Sequence, residues 1–171
     1  AETALTLIEP GMTVMINDGS MAATLGARLV EKRPLTVITN NAAVIDALKG
    51  EAGITVLSTG GTYSAKFNGF FGMVTEAALS GLRADVAFVS APAISGLEVY
   101  HMDEPVVRAK RAMMAAGTKT YLLVHHARFG RTALHKLCDL AEFDAVITDA
   151  APDAQSIAAL ADANINLTIA T

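Results

Sequence analysis

The sequence has no tryptophan, a single cysteine and no long apolar run. With Cys138 alone, no disulfide can form within the chain, which fits a reducing compartment and predicts a cytoplasmic location. Charged residues or glycines interrupt every apolar run well before the ~20 residues that a membrane-spanning helix needs, so no membrane partner is expected. The first ten residues also lack the basic and apolar segments of a signal peptide. These absences argue against a secreted or membrane-embedded protein.

Positive charge is also scarce. The 171 residues include 13 lysines and arginines against 17 aspartates and glutamates, for a net charge of −4. A domain that grips a phosphate backbone usually has the opposite balance, so this chain by itself is expected to bind nucleic acid poorly. Apolar residues, in contrast, make up 52% of the sequence. That fraction is ample for the core of one folded domain and excludes a disordered chain.

Short apolar and β-branched runs alternate with helical patterns along the chain. Each run is bounded by turn or polar residues, which is typical of buried parallel strands. The predicted strands are residues 13–16, 36–38, 54–57, 86–89, 121–124, 145–147 and 166–169. Helical patterns follow Ser20 (a candidate N-cap), Asn41, Asp103 and Pro152, and they supply the crossovers that parallel strands require. The alternation predicts an α/β fold with a mostly parallel sheet and helices on both faces.

Residues 60–72 do not fit this alternation. The segment reads GGTYSAKFNGFFG, which is too rich in glycine and aromatic residues for an ordinary helix and longer than a usual strand-to-helix loop. Long ordered loops are often functional. Alternatively, the aromatic side chains pack onto the body of the domain or onto a subunit partner, and both interpretations stay open.

Polar turns follow the first three predicted strands. Ligands of open parallel sheets bind at the carboxyl ends of the strands, so a site is expected at these turns. Backbone N–H groups at a helix N-terminus bind anions. Glycine lets the ligand approach the backbone closely, and short hydroxyl side chains donate hydrogen bonds to the ligand. The same residue types serve as ordinary helix caps, but three such turns at one sheet edge favour a phosphorylated or polyhydroxylated ligand. The residues concerned are Asp18, Gly19, Ser20, Thr39, Asn40, Gly60 and Gly61.

One helix carries further candidates. Lys110 lies about two turns into the helix that follows Asp103 and Glu104. Its ammonium group can reach toward the strand ends and neutralise a phosphate, or it can lie on the surface. Asp103 and Glu104 can accept hydrogen bonds from sugar hydroxyls, act as bases or simply cap the helix.

The four histidines give no metal site by spacing. His125 and His126 are adjacent at a strand end, so their side chains are expected on opposite faces, where one metal ion cannot bind both. No other histidine or cysteine stands at a zinc-site spacing, and the sequence has no nucleotide fingerprint, so neither a metal nor a cofactor is predicted. His125, His126 and Arg128 can instead donate to an anionic ligand, whereas His101 and His135 are expected at the surface.

Several short motifs occur in a characteristic order along the chain. They are Asp18-Gly19-Ser20, Thr39-Asn40, Gly60-Gly61, DVAF at 85–88, KRAM at 110–113, Phe129-Gly130-Arg131 and Ile147-Thr148-Asp149. In this order and spacing they resemble the effector-binding domain of DeoR-family bacterial transcription regulators. Each motif is weak by itself, and the resemblance rests on their combination from about residue 11 to residue 171.

The resemblance implies a fold similar to ribose-5-phosphate isomerase and glucosamine-6-phosphate deaminase. It implies that residues 1–171 form one effector-binding domain for a phosphorylated sugar or sugar-metabolism intermediate, which it binds without turnover. In such regulators a winged helix-turn-helix domain of about sixty residues precedes this one and contacts operator DNA. That segment is expected to be missing from this chain. The expected protein is therefore a homo-oligomeric regulator of carbohydrate metabolism, in most cases a repressor, and not an enzyme.

The family's ligand residues carry over by position. Asp18, Gly19 and Ser20 match the first ligand loop, Thr39 and Asn40 the second, Gly60 and Gly61 the third, and Lys110 the helix lysine. The complete predicted ligand site adds three residues from the same sheet edge: Asp103, His125 and Arg128.

The sequence departs from the family pattern at three places. It reads His125-His126-Ala127-Arg128 where the family typically reads Asp-x-Ser-Lys. Met21 stands where a second hydroxyl residue is common, and Val106 stands where an acidic residue is common ahead of the lysine. The change at 125 removes an acceptor and adds a titratable donor, which alters the expected ligand and leaves the expected fold unchanged.

Two other functions stay open. An isomerase or deaminase would need a carboxylate base and a cation, for which Asp85, Asp103 or Glu104 and Lys110 are available. An oligomerisation platform with a vestigial pocket would use exposed apolar side chains, and residues 67–73 offer three phenylalanines and a methionine.

Overall fold

The computed structural model describes residues 1–170, and within them the chain forms twelve short β-strands. The strands are β1 (Thr13–Ile16), β2 (Leu35–Thr39), β3 (Ile54–Ser58), β4 (Thr62–Ser64), β5 (Gly69–Phe71), β6 (Ala84–Ser90), β7 (Ala93–Ser95), β8 (Glu98–His101), β9 (Gly117–Val124), β10 (His135–Asp139), β11 (Ala145–Thr148) and β12 (Leu167–Ile169).

Six α-helices connect or flank these strands. They are α1 (Glu2–Leu5), α2 (Ser20–Arg28), α3 (Ala42–Leu48), α4 (Met73–Ser80), α5 (Glu104–Ala116) and α6 (Ala154–Asp162). Single 3₁₀ turns lie at Leu29–Lys32, His126–Arg128 and Leu140–Glu142. Among the described residues, no helix combines the length and the apolar character that crossing a bilayer requires.

Seven strands form one wholly parallel sheet, in the order β12-β11-β9-β6-β1-β2-β3. These are the seven strands that the apolar runs predict. The largest difference in their bounds is at β9, which begins at Gly117 rather than at residue 121. The predicted α/β fold with a mostly parallel sheet is therefore confirmed.

Helices cover both faces of the sheet. Successive side chains of a strand point to opposite faces, and in the central strands the side chains on both faces are apolar. Val14 and Ile16 of β1 pack with α1, α2 and α3 on one face, whereas Met15 between them packs with α4 and α5 on the other. On this second face, α5 and α6 also enclose a core with β7, β8 and β10. Each short apolar strand thus contacts helices on both faces of the sheet.

The order of the strands reverses between β1 and β6. From β1 the chain adds β2 and β3 toward one edge, and from β6 it adds β9, β11 and β12 toward the other. Such a switch point leaves a crevice outside the carboxyl ends of the two strands, since the connections that follow them leave in opposite directions. The fold therefore predicts a ligand site beside the ends of β1 and β6.

The apolar runs do not predict α4 or the two small antiparallel sheets, β10-β8-β7 and β4-β5. Residues 60–72, which were expected to form a loop, contain the β4-β5 hairpin. Asn40 joins this hairpin to the large sheet, because its side chain donates to the carbonyl of Phe70 and its own carbonyl accepts from the Phe70 N–H. Phe67 and Phe71 pack against α5, which supports the packing interpretation for these two aromatic residues.

Helix starts follow capping chemistry at three places. Asn41 caps α3, Asp103 caps α5 and Asp153 caps α6, and each side chain accepts a hydrogen bond from a backbone N–H of the first turn. The prediction that Ser20 caps its helix is wrong. Gly19 holds the cap position with a φ of +106°, and Ser20 is already the first helical residue. No side chain therefore caps the N-terminus of α2.

Candidate functional site

A cavity of about 370 Å³ opens at the switch point, beside the ends of β1 and β6. Six predicted site residues line it: Asp18, Gly19, Ser20, Lys110, His125 and Arg128. The remainder of its wall consists of Met21, Phe67, Ser90, Ala91, Pro92, His101, Met102 and Leu123. The sheet edge thus brings together residues that are as far as 110 positions apart in the sequence, 18 to 128.

Asp18 and Lys110 form a buried ion pair in the cavity wall. Their side chains are 5% and 2% exposed, and the Nζ of Lys110 lies 3.2 Å from the Oδ1 of Asp18. The same ammonium group donates to the carbonyl of Ser90 at 2.8 Å. Burial lowers the pKa of Lys110, and the neighbouring Asp18 carboxylate opposes that shift. The prediction that Lys110 is directed toward the strand ends agrees with this geometry, and the surface alternative does not.

The carboxylate of Asp18 has spare hydrogen-bonding capacity. Its Oδ1 attracts the Lys110 ammonium through charge, but within residues 1–170 no hydrogen bond of acceptable geometry reaches this buried atom. Buried carboxylate oxygens are normally hydrogen-bonded. Because this oxygen is inaccessible to solvent, the Lys110 ammonium is the group that balances its charge within the described residues.

The N-terminus of α2 opens onto the same cavity. The first hydrogen bond of the helix runs from the Ala23 N–H to the Gly19 carbonyl, so the N–H groups of residues 20–22 have no acceptor within the helix. Glycine is required at 19 because of its positive φ and because a Cβ there would lie 2.9 Å from the Oγ of Ser90. Uncapped N–H groups at the positive end of a helix form a site for an anion.

The turn after β2 supports the turn after β1. The Nδ2 of Asn41 donates to the carbonyls of Asn17 and Gly19, while its Oδ1 caps α3. Thr39 is fully buried and donates to the carbonyl of Ile16, and Asn40 is equally buried beneath the β4-β5 hairpin. Thr39 and Asn40 therefore lie behind the cavity wall, and contact of either with a ligand stays a prediction.

Gly60, Gly61 and Asp103 also lie outside the cavity lining. Gly60 and Gly61 have positive φ angles of 67° and 120° at the base of the β4-β5 hairpin, and a Cβ on Gly61 would lie 2.0 Å from the Oγ1 of Thr75. Asp103 accepts the hydrogen bond that caps α5. The structure gives these three residues a local structural role, and a role in ligand binding stays a prediction.

His101 is a wall residue that the sequence did not reveal. It was expected at the surface, but it is only 5% exposed, and its ring lies against Phe67 with centroids 5.7 Å apart. Its Nδ1 accepts from the Asp103 N–H. Burial and the nearby Lys110 lower the pKa of His101 to about 4, so the ring is neutral near pH 7. The one hint in the sequence was its alternation with Val99, which places both on the inner face of β8.

The expectation that His125 and His126 point to opposite faces is wrong. The strand β9 ends at Val124 and a 3₁₀ turn begins at His126, so strand alternation no longer applies to the pair. The two rings lie side by side, tilted by 31° with centroids 4.3 Å apart, and both contact Asp149 at the end of β11. Although partial burial raises its pKa, hydrogen bonds from His126 and the charge of both histidines lower the pKa of Asp149 to about 2.

Arg128 provides a cation at the cavity opening. Its side chain is exposed, and no ion pair holds it within the described part of the chain. A guanidinium group can bind two oxygens of a phosphate or carboxylate in its plane. The charge of Lys110, in contrast, is already balanced by Asp18, so among the described lysines and arginines that line this cavity Arg128 is the one without an ion-pair partner.

The carboxylates of the enzyme alternative are poorly placed for catalysis in this cavity. Asp85 lies at the opposite end of β6, where its Oδ2 accepts from the Thr13 N–H. Asp103 caps α5, and Glu104 is exposed outside the lining. Asp18 is the single carboxylate in the cavity lining of residues 1–170, and it is already paired with Lys110.

Comparison with protein families gives one clear match. The family model of the DeoR C-terminal sensor domain matches residues 1–150. The chain is similar to the L-fucose operon activator of Haemophilus influenzae, with 31% identity over 87% of this chain and 60% of that protein. It is similar to the glycerol-3-phosphate regulon repressor of Escherichia coli, with 29% identity over 94% of this chain and 64% of that protein. The chain therefore spans less than two thirds of the length of these curated relatives.

Solved structures agree on the fold. A ribose-5-phosphate isomerase in complex with phospho-erythronic acid superposes with a TM-score of 0.52 at 16% identity, covering 75% of this chain and 50% of that one. The eIF2B delta subunit of Chaetomium thermophilum superposes with a TM-score of 0.59 at 16% identity, covering 85% of this chain and 52% of that one. The predicted similarity to ribose-5-phosphate isomerase is confirmed at the level of fold.

Proposed function

Since the chain belongs to the DeoR family as its C-terminal sensor domain, we propose that the switch-point cavity binds a phosphorylated sugar or a related phosphorylated metabolite as an effector. The single observation that carries this proposal is the uncapped N-terminus of α2, which faces a cavity whose opening also holds the unpaired Arg128. These two groups suit a phosphate dianion.

Each part of the ligand has a matching group in the cavity wall. The phosphate lies against the N–H groups of residues 20–22 and the Arg128 guanidinium. A ligand hydroxyl donates to the carboxylate of Asp18, which lines the cavity. Lys110 acts mainly through Asp18, because its charge fixes the carboxylate that receives this hydroxyl.

The effector alters operator binding in the intact regulator. The relatives named above are an operon activator and a regulon repressor, which supports a regulator of carbohydrate-related genes. We place a DNA-binding domain N-terminal to this sensor. The net negative charge of this chain agrees with DNA being bound by another domain. The ligand changes operator affinity only to the extent that it binds the two states of a homo-oligomer with different affinity.

The domain binds its ligand without turning it over. Sugar-phosphate isomerisation or deamination needs a carboxylate that is free to take a proton from carbon. The carboxylate of Asp18 in the cavity wall is held by the Lys110 ammonium, and Asp85, Asp103 and Glu104 lie outside the lining. The function proposed is therefore sensing and not catalysis.

Isothermal titration calorimetry tests this proposal. The chain is titrated with glycerol 3-phosphate, ribose 5-phosphate, fructose 6-phosphate and fucose 1-phosphate, each paired with its unphosphorylated parent. We expect saturable binding of at least one phosphorylated compound and none of its parent. Replacing Arg128 by alanine weakens that binding about tenfold or more, because a charge-assisted phosphate contact is lost.

Arg131→Ala is the matched control, since Arg131 is exposed three residues further along and does not line the cavity. It should leave the affinity unchanged. Equal binding of phosphorylated and unphosphorylated compounds, or equal loss in both arginine variants, contradicts the proposed phosphate site. Conversion of any bound sugar phosphate into a new product contradicts the sensing role.

A further inference from the structure

A cluster of two histidines and one aspartate lies at the same sheet edge, outside the contacts used for the effector phosphate. His125 and His126 follow β9, and Asp149 follows the neighbouring β11. The Nε2 of His125 and the Nδ1 of His126 each lie 3.1 Å from the Oδ2 of Asp149. The three side chains are 43–47% exposed, so an ion from solvent can reach them.

The three candidate ligand atoms lie within 4.8 Å of one another, close enough for one small ion to contact all of them. Zinc binds imidazole nitrogen and carboxylate oxygen at about 2.0–2.1 Å, which places neighbouring ligand atoms of a tetrahedron roughly 3.3 Å apart. The two measured separations of 3.1 Å are close to that edge length before any rearrangement. We propose that His125, His126 and Asp149 bind one divalent transition-metal ion of the zinc type.

Both oxygens of Asp149 lie near the His126 ring, whose Nδ1 is 3.2 Å from Oδ1 and 3.1 Å from Oδ2. The Oδ1 of Asp149 accepts from the backbone N–H of His126 at 2.8 Å and from the Thr148 hydroxyl at 3.3 Å. These bonds orient the carboxylate and direct Oδ2 at both rings. Metal-binding carboxylates are commonly held in this way by hydrogen bonds from outside the coordination sphere.

The metal replaces a proton at His125. In the protein without metal, the Nδ1 of His125 accepts from the Ala127 N–H, which leaves the ring proton on Nε2, facing Asp149. On metal binding, the Nε2 proton passes to solvent and Nδ1 takes up a solvent proton in its place, so the ring stays neutral, Nε2 binds the metal and Nδ1 no longer accepts from the Ala127 N–H. The exposed 3₁₀ turn of residues 126–128 can release this N–H to water. One weak hydrogen bond is thereby exchanged for a metal–nitrogen bond.

Three protein ligands leave the fourth position of a tetrahedron open. His125 is also part of the lining of the effector cavity, and Asp149 lines a neighbouring cavity that shares Ser20, Met21 and Leu123 with it. The open position therefore lies at the boundary between the two cavities. Metal binding at this cluster requires no effector, so it is independent of the proposed sugar-phosphate site.

Titration with Zn²⁺ and with Co²⁺ tests the site. The protein is first treated with a chelator, and any histidine affinity tag is removed, because a tag would bind both ions. Calorimetry should give one Zn²⁺ per chain, and Co²⁺ should give the strong visible absorption of a tetrahedral ion. His126→Ala and Asp149→Asn should each weaken binding by roughly tenfold or more.

His135→Ala is the matched control, since His135 is a partly exposed histidine in β10 outside the cluster. It should bind Zn²⁺ as the unmodified chain does. Far-UV circular dichroism of each variant checks that the fold is intact, which the exposure of the cluster favours. The proposal is overturned if the unmodified chain binds no Zn²⁺ stoichiometrically, or if folded His126→Ala and Asp149→Asn variants bind it as tightly as His135→Ala.

Discussion

Two charged clusters lie at the same edge of the sheet, but they differ in their access to water. The inner cluster consists of Asp18, Lys110 and His101, whose residues are at most 5% exposed. The outer cluster consists of His125, His126 and Asp149, whose side chains are 43–47% exposed. Asp18 and His101 of the inner cluster follow or end β1 and β8, and Lys110 reaches them from the middle of α5, whereas the outer cluster lies two and three strands from β1, at the ends of β9 and β11.

Because of this difference in exposure, the two clusters are expected to differ in their contribution to the free energy of unfolding. A buried charge must be compensated at all times, so the members of the inner cluster depend on one another for the fold itself. Charges in the outer cluster are hydrated, and their mutual attraction contributes little to stability. We therefore expect inner-cluster changes to affect unfolding and outer-cluster changes to affect mainly the binding of ions and ligands.

The largest effect is expected for Lys110→Met. This change leaves the Asp18 carboxylate buried without its counter-charge, which typically costs about 3–5 kcal/mol of unfolding free energy. Urea denaturation followed by circular dichroism measures it. The double variant Asp18→Asn, Lys110→Met should recover much of the loss, because neither charge remains.

Lys136→Met provides the control for Lys110→Met. Lys136 also contacts two carboxylates, those of Glu98 and Asp139, but its side chain is 42% exposed. Its loss should change the urea midpoint far less than the loss of Lys110. If the two variants are equally destabilised, the burial of Lys110 does not make its ion pair more important for stability than the exposed ion pairs of Lys136.

The next largest effect is a pH dependence caused by His101. Its pKa is about 4 in the folded protein and near 6.5 when unfolded, so below pH 6.5 the unfolded chain takes up the proton first. The free energy of unfolding should therefore fall by up to about 3 kcal/mol between pH 6.5 and pH 4. His101→Asn retains an acceptor for the Asp103 N–H and should flatten this slope when unfolding is measured at several pH values. An unchanged slope would assign the acid sensitivity to other groups.

The large sheet could be predicted from sequence mainly because its central strands are buried on both faces. In β6, residues 86–89 form a continuous buried apolar run between Asp85 and Ser90. The strands β4 and β5 have three residues each and include glycine and serine. Their pairing depends on the contact with Asn40 and on the packing of Phe67 and Phe71, which short-range patterns do not encode.

The candidate site was predicted where strand ends determine position. Asp18, Gly19 and Ser20 follow β1 directly, so the topology alone brings them to the cavity. His101 was missed because histidine is itself polar and its burial comes from Phe67, 34 positions away. The outer cluster was missed because its geometry depends on the turn after Val124 and on a residue from another strand, Asp149.

An intermediate effect is expected for Asn41→Ala. This change removes the cap of α3 and the two hydrogen bonds that hold the carbonyls of Asn17 and Gly19. Loss of a cap alone costs about 1–2 kcal/mol. Because Gly19 begins the anion site, effector binding should weaken as well, which calorimetry measures.

Asp153→Ala tests whether capping alone explains the result for Asn41. Asp153 caps α6 through the N–H of Ser156 and contacts no residue of either cluster. It should lower stability by about 1 kcal/mol and leave effector affinity unchanged. If it weakens effector binding as Asn41→Ala does, the role of Asn41 in holding the turn after β1 is not supported.

The smallest effect on stability is expected for Asp149→Asn, which makes the same chemical change in the outer cluster that Asp18→Asn makes in the inner one. An asparagine oxygen can still accept from the His126 N–H, and the lost charge is 44% exposed, so the unfolding free energy at pH 7 should fall by less than about 1 kcal/mol in metal-free protein. Asp18→Asn should cost several times more, because the Lys110 ammonium then stays buried with no counter-charge. Adding about 0.5 M salt should shrink the Asp149 effect further and leave the Asp18 effect nearly unchanged, since screening reaches only hydrated charges. Equal costs at the two positions would mean that the exposed carboxylate stabilises the sheet edge as strongly as the buried one, and the contrast between the clusters would fail.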